Sequence, residues 1–119
     1  MNVYVLKDVP FPGYNVPRFV AITAMYHGDL NKLGLTREQY WTRNHKFGKM
    51  FEQIANMGAT VLDPSEYFLN QNGIYGVVHH DELLYYDGQH LSPEGARLLA
   101  SLFEPIFHAE NKRHADDKY

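Results

Sequence analysis

Tyr85-Tyr86-Asp87-Gly88-Gln89-His90-Leu91-Ser92-Pro93-Glu94-Gly95-Ala96 is the stretch on which the reading of this chain turns. Ser92 is a good helix N-cap, Pro93 suits the first helical position, and Glu94 complements the positive first turn. Asp87-Gly88 reads as a tight turn. Asp87 and His90 therefore stand three residues apart in a turn that feeds a capped helix. At that spacing the carboxylate can accept the imidazole Nδ1–H, which leaves Nε2 free to take a proton. Leu91 can anchor the loop in the core, and Ser92 fixes its exit. A general base needs a mount of this rigidity.

After Ser92, the residues Ala96, Leu99, Ala100, Phe103 and Ile106 fall on one helical face, the expected core face. Pro105 lacks an N–H and should end or bend that helix. Residues 108–119 are polar and charged and should fray, so the domain is read as 1–107 with a polar tail. Before the turn, Ile74 to His79 and Leu83 to Tyr86 read as hairpin arms around His80-Asp81-Glu82. Residues 65–70 suggest a turn of helix, and Ala59 to Leu62 a short strand stopped by Asp63-Pro64.

Thr36 to Met57 is the clearest helix. Thr36 with Gln39 forms a capping box. Tyr40, Phe47, Met50, Phe51, Ile54 and Met57 share a face, and Gly58 suits the left-handed C′ position. Residues 17–27 read as a short helix, and Pro10 to Pro17 as a Pro/Gly loop. Asn2 to Val9 reads as a buried strand. Strand, helix, strand, helix is an α/β pattern with a parallel sheet. Such a sheet must be covered on both faces, and two or three strands are too few for that. The chain is therefore expected to be the C-terminal part of a larger α/β domain.

The bulk numbers exclude several classes. At 119 residues, 45% of them hydrophobic, the chain is one domain with enough apolar side chains for a core. A net charge of −3 gives no electrostatic footprint for nucleic acid. The chain has no cysteine, hence no disulfide and no thiolate metal site. No apolar run approaches the roughly 20 residues of a membrane span. Met1 to Leu6 shows neither the basic region nor the cleavage site of a signal peptide.

Asp87-x-x-His90-Leu91-Ser92-x-x-Gly95-Ala96, leading into an apolar helix, resembles the last block of the SGNH hydrolase superfamily. More narrowly it is similar to the SGNH domain attached to membrane-bound sugar O-acyltransferases of bacterial surface polysaccharides. Val3-Tyr4-Val5-Leu6, Pro10-x-Pro12, Val16-Pro17-Arg18, Thr36 to Arg43 and Val61-Leu62-Asp63-Pro64 resemble earlier stretches of that domain more loosely. The resemblance implies a flavodoxin-like three-layer α/β/α sandwich, here partial and lacking its N-terminal strands. It implies His90 as general base and Asp87 as its partner, no cofactor, and acyl esters of carbohydrates as substrate. It also implies a periplasmic or extracytoplasmic setting, although this sequence itself leaves the compartment open.

Further blocks implied by the resemblance are missing. The family nucleophile is a Ser in a Gly-Asp-Ser turn after the first strand, and its oxyanion hole adds a Gly and an Asn from the next blocks. This chain has three serines: Ser65, Ser92 and Ser101. Ser92 is better used as a cap, Ser65 follows Asp63-Pro64, and Ser101 lies inside a helix. Gly28-Asp29-Leu30 stands too far from the first strand to serve. Removing a triad serine costs about a millionfold in kcat in a well-studied protease. No esterase activity is expected from this chain alone. A cysteine pair common near residues 69–75 in the family is replaced by Leu69, Asn70 and Ile74 among others.

Other clusters weigh less. His79-His80-Asp81-Glu82 hints at a metal site, but adjacent strand residues point to opposite faces, so a polar hairpin tip is expected and no metal ligand is assigned. Tyr40 and Trp41 are expected at the core or its edge. His27, His45, His108 and His114 are expected in solvent. Two functions follow. The chain is half of an SGNH-type esterase or O-acyltransferase site whose serine comes from an N-terminal half or a partner chain. Alternatively it is a non-catalytic module or remnant held in a homo-oligomer through the strand edge of residues 2–9.

Overall fold

The computed structural model describes residues 2–104 with Ile106 and Phe107. Its elements run β1 (Tyr4–Leu6), α1 (Val16–Met25), β2 (Gly34–Thr36), α2 (Arg37–Asn44), α3 (Gly48–Asn56), β3 (Thr60–Leu62), β4 (Ile74–Gly76), β5 (Val78–His79), β6 (Glu82–Leu83) and α4 (Pro93–Leu98). β1 and β3 pair in parallel, with Tyr4, Val5 and Leu6 opposite Thr60, Val61 and Leu62. The helices between them make the crossover that a parallel pair requires. β2 pairs antiparallel with β4, and β5 with β6. The architecture is α/β with a parallel pair, consistent with part of a flavodoxin-like sandwich.

Local signals read from sequence set several elements. Asn15 caps α1 by accepting the Arg18 N–H at 3.1 Å. Thr36 and Gln39 make the capping box in both directions, at 2.9 and 3.1 Å. Gly58 follows α3 with φ +101°. His80 and Asp81 form the β5–β6 turn, both with positive φ (50° and 61°), as a two-residue type I′ connection demands.

Four expectations need correction. The helix over 36–57 is broken, with a 3-10 turn at His45–Phe47 between α2 and α3. The Asn44 amide donates to the Tyr40 carbonyl at 2.9 Å, and His45 Nδ1 to that of Trp41 at 3.1 Å. These side-chain bonds compete with the backbone ladder. The strand over 2–9 shrinks to three residues and is not buried: Val3 is 50% and Leu6 42% exposed. The third is the arm read over Ile74 to His79: its β4 part pairs with β2, an element the apolar pattern does not announce, and only Val78–His79 pairs with Glu82–Leu83. Finally, the last helix is α-helical only to Leu98 and continues as a 3-10 turn over Ala100–Phe103. Leu99 is buried, with Leu98, Leu102 and Phe103 packed around it, while Ala96 and Ala100 are exposed. Pro105 and the 108–119 tail lie outside the described residues.

The core is centred on Tyr85, Leu84, Val16 and Val77, with Val9, Leu35, Phe68, Tyr75 and Leu99. Tyr85 is fully buried between Phe11 and Phe68, each with ring centroids 5.8 Å away. Its hydroxyl donates to the Pro10 carbonyl at 3.2 Å. None of the residues of β1, α2, α3 or β3 is buried. The core therefore lies under the Asp87–His90 turn, and the parallel pair and its helices keep apolar side chains in solvent. Trp41 is among them: it is exposed and stacks on His45, not on the core. Among the described residues no helix is long and apolar enough to cross a membrane.

Candidate active site

The site grows from the buried pair Leu84-Tyr85. Tyr85 bridges Leu91 in antiparallel fashion, and the Tyr86 N–H donates to the His90 carbonyl at 3.1 Å. Those two links close residues 86–90 into a small loop standing on the core. Its far end is fixed by α4. The Ser92 N–H donates to the Leu84 carbonyl at 2.9 Å, and its hydroxyl donates to the Leu83 carbonyl while accepting the Gly95 N–H at 3.1 Å. Gly95 lets the helix seat there, because a Cβ would lie 2.2 Å from the Leu84 carbonyl oxygen.

Inside the loop, Asp87 organises everything. Its Oδ1 accepts the backbone N–H groups of Gln89 and His90, both at 2.7 Å. Its Oδ2 meets His90 Nδ1 at 2.7 Å. The two carboxylate oxygens thus do separate jobs: one folds the turn and the other holds the imidazole. The Gln89 N–H holds the Asp87 carboxyl below the usual carboxylate range; slight desolvation opposes it, and the His90 ring and N–H add to it. An ionised Asp87 selects the tautomer with the proton on Nδ1. His90 Nε2 has no hydrogen-bond partner among the described residues. The His90 side chain is 60% exposed, so a substrate or a second chain can reach it.

The Pro10–Asn15 loop after β1 lies alongside. The Gly13 N–H donates to the Gly88 carbonyl at 3.2 Å. Gly88 permits this approach, since a Cβ would sit 2.8 Å from the Tyr14 carbonyl oxygen. Arg43 on α2 donates to the Phe11 carbonyl and pins the same loop. These contacts joining β1 to the turn are not readable in the sequence; Gly88 is their sole local trace. Nor does the sequence mark Tyr86 as a member of the site. Its ring stacks on His90, 5.4 Å between centroids and 15° between planes.

None of the serines sits as a nucleophile does. Ser92 is buried and engaged at both ends, as its cap reading requires. Ser65 is 2% exposed and donates to Asp63 Oδ1 at 2.7 Å. Ser101 lies exposed on the last 3-10 turn. Asp29 of Gly28-Asp29-Leu30 caps another 3-10 turn through the Asn31 N–H. In place of a cysteine pair, Asn70 closes its loop by accepting the N–H groups of Asn72 and Ile74.

The histidine cluster departs from expectation in one respect. His79 and His80 do meet, edge to face at 4.1 Å, because the positive φ of His80 breaks strand alternation. Among the described residues no group of three or more His, Asp or Glu is placed to hold a metal.

The imidazole of His90 is thus tied to an aspartate three residues earlier, directly before a capped helix. The family model described as the SGNH domain fused to AT3 domains matches residues 1–105. This chain belongs to the SGNH family. Comparison with curated proteins gave no match, and neither did comparison with solved structures. The SGNH assignment agrees with the α/β fold and makes this an acyl-transfer type of domain, of the kind the family model describes as fused to AT3 domains.

Proposed function

We propose that this SGNH chain supplies the base of an acyl-transfer site acting on acyl esters of carbohydrates, with His90 as general base and Asp87 as its partner. The observation that carries this reading is the 2.7 Å contact between His90 Nδ1 and Asp87 Oδ2 on a side chain that is 60% exposed. The serine comes from an N-terminal segment or a partner chain. Its Oγ–H gives its proton to His90 Nε2 as the oxygen attacks the acyl carbon. The protonated His90 returns that proton to the departing oxygen as its bond to carbon breaks. A sugar hydroxyl, or water, then attacks the acyl-serine as His90 takes its proton; the bond from the acyl carbon to the serine oxygen breaks, and His90 returns the proton to that oxygen. Asp87 stays ionised and stabilises the imidazolium.

The exposed apolar side chains of β1 and the α2–α3 segment support a serine-bearing partner segment. Leu6, Phe47 and Met50 are each more than 40% exposed and line one groove with Val9, Tyr40 and Phe51. The test is an ester-cleavage and acyl-transfer assay on this chain joined to, or mixed with, a segment bearing Gly-Asp-Ser, using an acetylated sugar. His90→Ala should remove activity by about a millionfold and Asp87→Asn by about ten thousandfold. Parental rates in His90→Ala would refute the assignment.

The same exposed edge favours one alternative, a non-catalytic module held in a homo-oligomer through residues 2–9. Light scattering decides it: a concentration-dependent oligomer, broken by Val5→Lys and never active with a serine-bearing segment, would replace the acyl-transfer reading.

A further inference from the structure

We infer that Tyr86 is a positioning residue for His90, holding the imidazole in its working orientation and favouring its protonated form during acyl transfer. The inference rests on the proposed role of His90 as base. Three observations carry it. The Tyr86 and His90 rings are stacked, 15° apart in plane and 5.4 Å between centroids. Tyr86 is 59% exposed, so its ring is not there to fill the core, which Tyr85 does next door. The Tyr86 N–H donates to the His90 carbonyl at 3.1 Å, so the backbone brings the two side chains to the same side of the loop.

The physical role follows from what Asp87 leaves undone. A single hydrogen bond at Nδ1 fixes one point of the ring but allows it to swing about that bond. An aromatic plane against one imidazole face removes that swing and aims Nε2. It also shields that face from water and places π density against the positive charge that His90 acquires on taking the serine proton. A cation over an aromatic face at an exposed site is favoured by an amount worth about two- to fivefold in a rate. Lost alignment adds to that, so removing the ring should cost about five- to tenfold in kcat. Substrate affinity should not change, because the ring acts on His90 and not on the ester.

The test has two arms. In the chain itself, NMR should show the His90 ring protons shifted upfield by the Tyr86 ring current; Tyr86→Leu should abolish that shift and Tyr86→Phe keep it. In the serine-completed domain, Tyr86→Leu should lower kcat about five- to tenfold with KM unchanged, and Tyr86→Phe should restore it. Identical His90 shifts in parent and Tyr86→Leu would overturn the inference. So would a parental kcat in Tyr86→Leu alongside an inactive His90→Ala, which leaves the base assignment standing. A His90→Ala protein at parental rate would instead overturn the base assignment, and this inference with it.

Discussion

Replacing Gly95 by Ala should unseat the helix that anchors the loop of the candidate base. The new Cβ would lie 2.2 Å from the Leu84 carbonyl oxygen and 2.9 Å from a Leu91 methyl group. Ordinary contact begins at 3.4 Å, so α4 must lift by about 1.2 Å. Overpacking of this kind costs about 1–3 kcal/mol. The same carbonyl accepts the Ser92 N–H, and loss of that hydrogen bond adds about 1 kcal/mol. Intrinsic helix propensity would give back close to ~1 kcal/mol. The net expectation is a loss of about 1–3 kcal/mol, a fall in Tm of roughly 5–20 °C for a domain near this size. Gly48→Ala is the control. Gly48 has helical φ, and a Cβ added there would meet nothing within 4 Å, so that change should raise stability by about 0.5–1 kcal/mol. Urea unfolding followed by circular dichroism reads both. Equal or raised stability in Gly95→Ala would refute the close seating of α4 on Leu84.

Further outcomes follow from the same geometry. Tyr85→Phe leaves the Pro10 carbonyl without its buried donor and should cost about 1–2 kcal/mol in urea unfolding; an unchanged midpoint would contradict that bond. Ser92→Ala removes a cap and a second hydrogen bond, and should destabilise by about 1–2 kcal/mol where Ser92→Thr does not. Asp87 has its folded-state pKa lowered, so its contribution to the turn is fully present above the unfolded carboxylate value near ~3.9 and is lost as pH falls through the lowered one. The Asp87 carboxyl carbon, followed by NMR, should titrate below the unfolded value, and titration at or above it would contradict the three hydrogen bonds it accepts. Glu82 is held above the ordinary range by the Glu94 carboxyl, through a shared hydrogen bond and like-charge repulsion. A raised acid pKa means stability present at low pH and lost as pH rises through it, so Glu82→Gln should raise Tm at neutral pH and not below the carboxylate range.

The parts legible in the sequence are those fixed by neighbours in sequence. The Thr36–Gln39 capping box, the Ser92 cap and the Asp87–His90 spacing each need only a few consecutive residues, and each forms. The break at Asn44–His45 is not legible, because side chains bonding to their own helix carbonyls leave the apolar period intact. β2 is hidden because Gly34-Leu35-Thr36 is a strand only through its pairing with Ile74-Tyr75-Gly76. Periodicity puts Phe47, Met50 and Met57 on one apolar face, yet it cannot say what covers them; here they remain 41%, 46% and 86% exposed. The candidate site is legible in its two polar residues. Its aromatic neighbour Tyr86 stacks on His90 only once the 86–90 loop closes, and the loop docked at Gly88 depends on tertiary contacts that no spacing encodes.

Every step proposed for this site requires that Asp87 present His90 with its proton on Nδ1 and Nε2 free. Long-range proton–nitrogen NMR of the neutral His90 ring reads that tautomer. A protonated Nδ1 and a bare Nε2 are expected, with that preference lost in Asp87→Ala. A proton resident on Nε2 in the parent chain would show the assignment to be wrong, because a nitrogen that already holds its proton cannot take one from a serine.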